Sequence, residues 1–175
     1  MCWSLWTKII MNKYRGFSLI ELLVIITVIV LFLGFGMSKY NTYSQQVKLK
    51  NDAKKLVDVL ELTKKKALSA DLLITPGTPN TFCSNFTGYK VSIAASSYSL
   101  NYCCSSTCSL VQNYDLSDNI TVISGLGDYT FPPLMNNPNF ISTTIRLRNS
   151  TISMCLDISI SPIGIIELNE TLITC

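Results

Sequence analysis

The residues Gly16-Phe17-Ser18-Leu19-Ile20-Glu21 open an apolar run that continues to Phe35, and this run predicts a long helix near the N-terminus. As a helix, residues 17–37 extend about 32 Å, close to the roughly 30 Å hydrocarbon thickness of a bilayer. Glu21 is the one charged residue in this segment. A charge near the middle of a membrane costs roughly 2.5–3.5 kcal/mol, so such residues usually have a partner and a function. The sequence therefore predicts a transmembrane helix over 17–37 in which Glu21 has a specific role.

Two ordinary interpretations of this segment compete. A secretory signal peptide has small residues of A-x-A type after its apolar core, whereas this core continues into the sequence GFGMSK at 34–39. A simple membrane anchor explains the apolar run but leaves Glu21 and the Gly16–Phe17 junction without a reason.

The charge distribution predicts the orientation of the helix. The chain has 14 basic and 11 acidic residues, and three of the basic ones, Lys8, Lys13 and Arg15, precede Phe17. Without them the remaining chain is close to neutral, so the excess of +3 is no sign of nucleic-acid binding. Basic residues before an apolar helix favour the cytoplasmic side, which predicts that the C-terminal domain lies outside the cytoplasmic membrane.

A second helical segment is predicted over 38–72. Its apolar residues recur at spacings of three and four, which is typical of an amphipathic helix: Leu49, Ala53, Leu56, Val57, Leu60, Ala67 and Leu68. Lysines cover the rest of the surface, with Asp52, Asp58 and Glu61 as helix-spaced partners. The sequence PGTPN at 76–80 ends the helix.

Residues 80–175 are predicted to form an antiparallel β domain, so the fold class is α+β. Runs rich in Val, Ile, Tyr and Thr alternate with turn residues, and they predict strands at 89–95, 97–103, 120–124, 143–148, 152–159 and 163–168. Ser161-Pro162-Ile163-Gly164 is typical of a turn. The proline-rich stretch 128–139 predicts an irregular loop.

Six cysteines follow residue 80 and predict up to three disulfides in an oxidising compartment: Cys83, Cys103, Cys104, Cys108, Cys155 and Cys175. Fifteen connectivities fit this number. We favour Cys155 with Cys175, and different partners for Cys103 and Cys104, because neighbours in a strand point to opposite faces. A zinc site on Cys103, Cys104 and Cys108 is the alternative, disfavoured by the absence of histidine; we expect no metal or cofactor.

The sequence FSLIELLV at 17–24, after Gly16, resembles the N-terminal methylation motif of type IV pilins and type II secretion pseudopilins. The sequence VLELTKKKA at 59–67 and the sequence ISPIG at 160–164 are similar to elements of FimT/GspH-type minor pseudopilins. The resemblance implies a leader over 1–16, or a shorter one from Met11, cleavage by prepilin peptidase between Gly16 and Phe17, and methylation of the new Phe17 amine.

The same resemblance implies a structural subunit with no catalytic residues. Glu21 would pair with the Phe17 amine of a neighbouring subunit, and the apolar helix would pack in the core of a pilus or pseudopilus. The implied partners are other pilin subunits, the inner-membrane assembly platform and, before assembly, membrane lipid.

Two further functions are alternatives to a filament subunit. A DNA-binding minor pilin of a competence pilus would use the lysine-rich helix together with Arg146 and Arg148. The β domain has only Lys90, Arg146 and Arg148 as basic residues, which disfavours nucleic acid as a partner. A tethered enzyme has little support, because the chain has no histidine and no recognisable catalytic motif.

Overall fold

The computed structural model describes residues 18–69, 83, 85–133 and 142–175, without the side chains of 33–38. The chain divides into two units, residues 1–40 and residues 41–175. Helix α1, Leu19–Leu68, begins in the first unit and ends in the second. The predicted leader over 1–16 and the helix-breaking sequence at 76–80 lie outside the described residues.

The part of α1 within the second unit is amphipathic, as its periodicity predicts. Leu49, Ala53, Leu56, Leu60 and Ala67 are buried at 1% exposure or less, because they lie on one face of the helix. Thr63 lies on the same face, and its hydroxyl donates to the Val59 carbonyl at 2.5 Å. This bond satisfies the hydroxyl inside the core. The prediction is wrong for Leu68, the last helical residue, which is 41% exposed.

In the described part of the chain, eight antiparallel strands follow and form two sheets of four. They are β1 (Phe86–Ile93), β2 (Ser97–Cys104), β3 (Thr107–Asp115), β4 (Ile120–Ser124), β5 (Gly127–Phe131), β6 (Thr143–Asn149), β7 (Met154–Ile160) and β8 (Ile166–Thr174). The first sheet has the strand order β3-β2-β1-β5, and the second has the order β4-β6-β7-β8. The predicted α+β fold class is confirmed.

The strand predictions differ from the structure most clearly at three elements. The strand predicted at 163–168 covers only the first three residues of β8, which begins at Ile166 and ends at Thr174. Strand β3 was not predicted, because its side chains are almost all exposed and show no alternation of apolar and polar positions. Strand β5 takes up residues 128–131, which were predicted as loop because Pro132 and Pro133 follow immediately. The turn at 161–164 forms as predicted, with the Gly164 N–H donating to the Ser161 carbonyl at 2.9 Å.

One hydrophobic core serves the second unit. It combines the buried face of α1 with inward-facing residues of both sheets, among them Tyr89, Phe131, Leu147 and Ile158. Burying a large apolar side chain contributes about 1.5–3 kcal/mol, so the helix and the two sheets stabilise one another through this shared cluster.

Candidate functional site

The first turn of α1 is fixed by a cap at Ser18. The Glu21 N–H donates to the Ser18 hydroxyl oxygen at 3.2 Å, and the Leu22 N–H donates to the Ser18 carbonyl at 3.2 Å. The spacing Ser-x-x-Glu is the signature of a capping box, and an acid in the first turn is also favoured by the helix dipole. This role of Ser18 was not predicted, although the Ser-x-x-Glu spacing indicates it.

The cap has a consequence for Glu21. Because the backbone N–H of Glu21 is bound by Ser18, the acid is held in the first helical turn, where its side chain is exposed. Gly16 and Phe17 lie outside the described residues. Cleavage between them, and pairing of Glu21 with the Phe17 amine, stay predictions.

The apolar residues that follow Glu21 are exposed all around the helix. Twelve large apolar side chains from Leu19 to Phe32 are between 45% and 83% exposed. The Thr27 hydroxyl among them donates to the Leu23 carbonyl at 2.7 Å, so it needs no other partner. A helix that is apolar on every side is normally buried in a larger assembly or in lipid. This surface therefore has the composition of an interaction site.

Part of the predicted transmembrane segment 17–37 lies outside the description, namely Phe17 and the side chains of 33–38. Among the helices that the structure describes, none has both the length and the apolarity of a membrane span. The transmembrane assignment stays a prediction.

Three disulfides connect the six cysteines of the β domain. Cys83 is bonded to Cys104, Cys103 to Cys108, and Cys155 to Cys175. The predicted presence of disulfides is confirmed, and the structure contains the Cys155–Cys175 pair that the sequence analysis favoured. Because Cys103 and Cys104 are bonded to different cysteines, neither thiolate is free for the zinc site considered as an alternative.

The basic residues proposed as nucleic-acid contacts are partly used within the chain. Arg146 on β6 donates from Nε and Nη2 to the two carboxylate oxygens of Asp157 on β7, at 2.7 and 2.8 Å. This bidentate pair lowers the pKa of Asp157, chiefly through the hydrogen bonds. The Lys64 ammonium donates to the Gly164 carbonyl at 2.7 Å. Arg146 and Lys64 are therefore held by partners of their own chain.

Two buried polar side chains, which the sequence analysis did not single out for this role, fasten α1 to the β domain. Asp52, predicted as a surface partner of lysines, is 3% exposed; it accepts a hydrogen bond from the Ser117 N–H at 2.8 Å and lies 3.7 Å from the Lys55 ammonium. Asn149 is fully buried and donates to the Gln45 side-chain oxygen at 3.0 Å. Both contacts fix the loops between strands against the helix.

Comparison with known proteins finds one match, at the N-terminus. Residues 11–37 match the family model described as the prokaryotic N-terminal methylation motif. No curated protein and no solved structure shows significant similarity to the chain. The match covers the Gly16–Phe17 junction, Glu21 and the exposed apolar side chains from Leu19 to Phe32.

Proposed function

We propose that this chain, which carries the N-terminal signature of type IV pilins and pseudopilins, is a minor pilin or pseudopilin of a type IV pilus or a type II secretion filament. The motif supports a structural subunit of this kind. The rank of minor subunit rests on the similarity of residues 59–67 and 160–164 to FimT/GspH-type proteins. In this role the chain has no enzymatic activity.

The observation that carries the proposal is the exposed apolar surface of α1 with a single acid at its start. Each large apolar side chain moved fully from water into an apolar environment contributes about 1.5–3 kcal/mol, so twelve of them give a strong drive to associate. Hydrophobic association alone gives the assembly no direction: it does not select one alignment of two helices, because apolar contact is similar for many registers. Glu21 supplies the direction, since an unpaired carboxylate among leucines is costly.

The proposed assembly step follows from this pairing. Prepilin peptidase cuts between Gly16 and Phe17, and the new amine of Phe17 is methylated and keeps its positive charge. Glu21 of an incoming subunit then binds the Phe17 amine of its neighbour, which compensates two poorly solvated charges at once. A head-to-tail contact that does not close into a ring produces a helical fibre.

The same proposal sets the location and the partners. Before assembly, the helix resides in the bacterial cytoplasmic membrane as a single pass, with lipid around 17–37 and the β domain outside the cytoplasm. Three disulfides fit an oxidising compartment. The inner-membrane assembly platform then transfers the subunit into a filament with other pilins.

Two measurements test the proposal. The mass of the first peptide of the mature chain should correspond to methylated Phe17 in cells with the processing peptidase and to an uncleaved leader in cells without it. Glu21→Ala should abolish recovery of the chain with sheared filaments, whereas Thr27→Ala, which changes another exposed polar residue of the helix, should leave recovery unchanged.

Two outcomes would contradict this function. One is a mature chain that still begins with its leader in cells that contain the peptidase. The other is normal recovery of Glu21→Ala in filaments, because the pairing of charges would then play no part in assembly.

A further inference from the structure

Each β-sheet of this domain has two outer strands, and three of the four carry features that prevent pairing with another chain. Strand β4 has only five residues. Strand β5 is equally short, has Asp128 and is followed by two prolines. Strand β8 is longer but has the exposed acids Glu167 and Glu170. Short length, charge and proline are the usual protection of a sheet edge.

Strand β3 differs from these three. It has nine residues, of which only the last, Asp115, is charged; the eight before it, TCSLVQNY from 107 to 114, contain no charge and no proline. Among the described strands, β3 is paired only with β2. Leu110 is 60% exposed and Val111 is 41% exposed. A long, neutral edge with exposed apolar side chains is a template for an added strand.

This edge is held in place by its own hairpin. The Cys103–Cys108 disulfide joins β2 to the start of β3, and the Thr107 hydroxyl donates to the Cys104 carbonyl at 3.1 Å. At the other end, the rings of Tyr98 and Tyr114 stack with their centroids 5.1 Å apart. A strand fixed at both ends loses little conformational entropy when it binds, so more of the contact energy appears as affinity.

We propose that the outer edge of β3, which no described strand covers, binds β3 of a second copy of this chain in antiparallel orientation, with the two-fold axis at Val111. A symmetric pair needs only one surface, which must be complementary to itself. With Val111 opposite Val111, the only charged residue of the strand, Asp115, lies opposite Thr107 of the other copy. No like charges meet, whereas like charges directly opposite one another would weaken the pair.

The β-bulge of β3 lies at the proposed two-fold axis and is compatible with it. The register with β2 shifts between Leu110 and Gln112, so Val111 has no direct partner on β2. Such a bulge bends a strand and works against pairing with a regular strand. A second β3 has the same bulge at the same level, so the residues on both sides of the axis stay matched one to one. This feature favours a copy of the chain over an unrelated extended peptide.

The β3 contact is independent of the proposed function, because it uses no residue of the methylation motif. The test compares the oligomeric state of the full mature chain in detergent for the wild type and Val111→Lys. Val111→Lys places two ammonium groups at the axis, and we expect loss of the dimer at concentrations where the wild type is dimeric. Mixing Val111→Lys with Val111→Glu should restore it as a mixed dimer, measured by co-purification of two differently tagged chains.

The matched control is Ile123→Lys, which adds the same charge at a similarly exposed apolar residue of the β4 edge. It should leave the dimer intact, and near-ultraviolet circular dichroism should show that all variants are folded. A wild type that is monomeric at every concentration overturns the proposal. So does a dimer that Val111→Lys leaves unchanged, since association through α1 alone would explain it, or a mixture of the two charged variants that stays monomeric.

Discussion

Asn149 shows how a single buried side chain can organise a turn and a helix contact together. Its side-chain oxygen accepts from the Thr151 N–H at 2.9 Å and from the Ile152 N–H at 3.4 Å, while its amide nitrogen donates to Gln45 on α1. All of these groups need hydrogen bonds once they leave water. The asparagine therefore sets the shape of the β6–β7 connection and its distance from the helix.

Replacement of Asn149 by alanine should destabilise the domain by about 1–3 kcal/mol, because the side chain is fully buried and the partly buried groups that it binds would lose their partner. Thermal unfolding followed by circular dichroism would measure the loss. Asn169→Ala is the matched control: its side chain accepts from the Thr171 N–H in the same local pattern but is exposed. A change within about 0.5 kcal/mol is expected there, and equal losses in both variants would contradict the role of burial.

The Arg146–Asp157 pair predicts a pH dependence of stability. The hydrogen bonds from Arg146 lower the pKa of Asp157 in the folded state, below the value of about 3.9 for a free aspartate. The stabilisation is therefore fully present above about pH 4 and is lost as the pH falls through the folded-state pKa. Since the Arg146 side chain is 41% exposed, screening by solvent keeps the contribution of this pair at pH 7 small.

The measurement compares the free energy of unfolding of the wild type and Asp157→Asn between pH 7 and pH 2. The advantage of the wild type should shrink below pH 4, and Arg146→Gln should remove most of it at pH 7. A constant difference across this range would mean that the ion pair contributes nothing to the pH dependence.

Among the elements, the pairing of β1 with β5 requires a residue without a side chain, the glycine at position 88. Gly88 has a φ of +132°, and a Cβ atom there would collide with the Phe131 carbonyl oxygen on β5. Glycine adopts this backbone conformation readily, whereas other residues do so only with strain. The close approach brings Tyr89 opposite Phe131 in the register, and both side chains are in the core.

Gly88→Ala should therefore disturb the β1–β5 contact and destabilise the domain by more than about 1 kcal/mol. Gly127→Ala isolates the steric part of this effect, because Gly127 has nearly the same φ of +134° but no atom within 4 Å of an added Cβ. Unfolding by urea should show a larger loss for Gly88→Ala. Equal losses would assign the whole effect to backbone strain and none to the contact with Phe131.

The two kinds of element differ in how far the sequence predicts them. The second half of α1 was predictable because one face of the helix is buried in the core. The spacing of Leu49, Ala53 and Leu56 follows from this burial. Strand β3 was not predictable, because a strand exposed on both faces leaves no alternation in its sequence. Asp52 is a helix-spaced partner of a lysine, as predicted, with the Lys55 ammonium 3.7 Å away, but its burial was not predicted. Helix spacing shows which face a residue occupies, whereas a distant loop at Ser117 decides that this acid is buried.

The candidate site divides in the same way. Glu21 could be singled out from sequence because a lone acid in an apolar run is costly wherever the run is buried. The partners of the cysteines needed the fold, since fifteen connectivities satisfy the same count.

At the scale of the whole molecule, the structure contains two units with different requirements. The second unit, residues 41–175, has its core within itself, and the first core residue along the chain is Leu49. The described apolar side chains of the first unit are exposed, and a helix that is apolar on every side is normally covered by lipid or by other protein. The stability of the β domain and the capacity for assembly should therefore be separable.

A fragment of residues 41–175 should fold alone, form all three disulfides and unfold cooperatively at nearly the temperature of the full chain. Mass spectrometry of the oxidised fragment and a thermal melt would measure this. A fragment that starts at residue 60 is the control, since it lacks the core residues Leu49, Ala53 and Leu56 and should not fold. Aggregation of the longer fragment under oxidising conditions would contradict an independent second unit.

The disulfides of the adjacent residues Cys103 and Cys104 fix the register of the β2–β3 hairpin covalently. Cys103 is bonded to Cys108 on β3, and Cys104 is bonded to Cys83. If the two exchanged partners, β2 would slip by one residue and turn Leu100 and Tyr102 from the interior toward water. The disulfide pattern therefore corresponds to the native register of β2. A molecule with the two exchanged disulfides keeps the slipped register, and packing cannot correct it unless one of these bonds is broken.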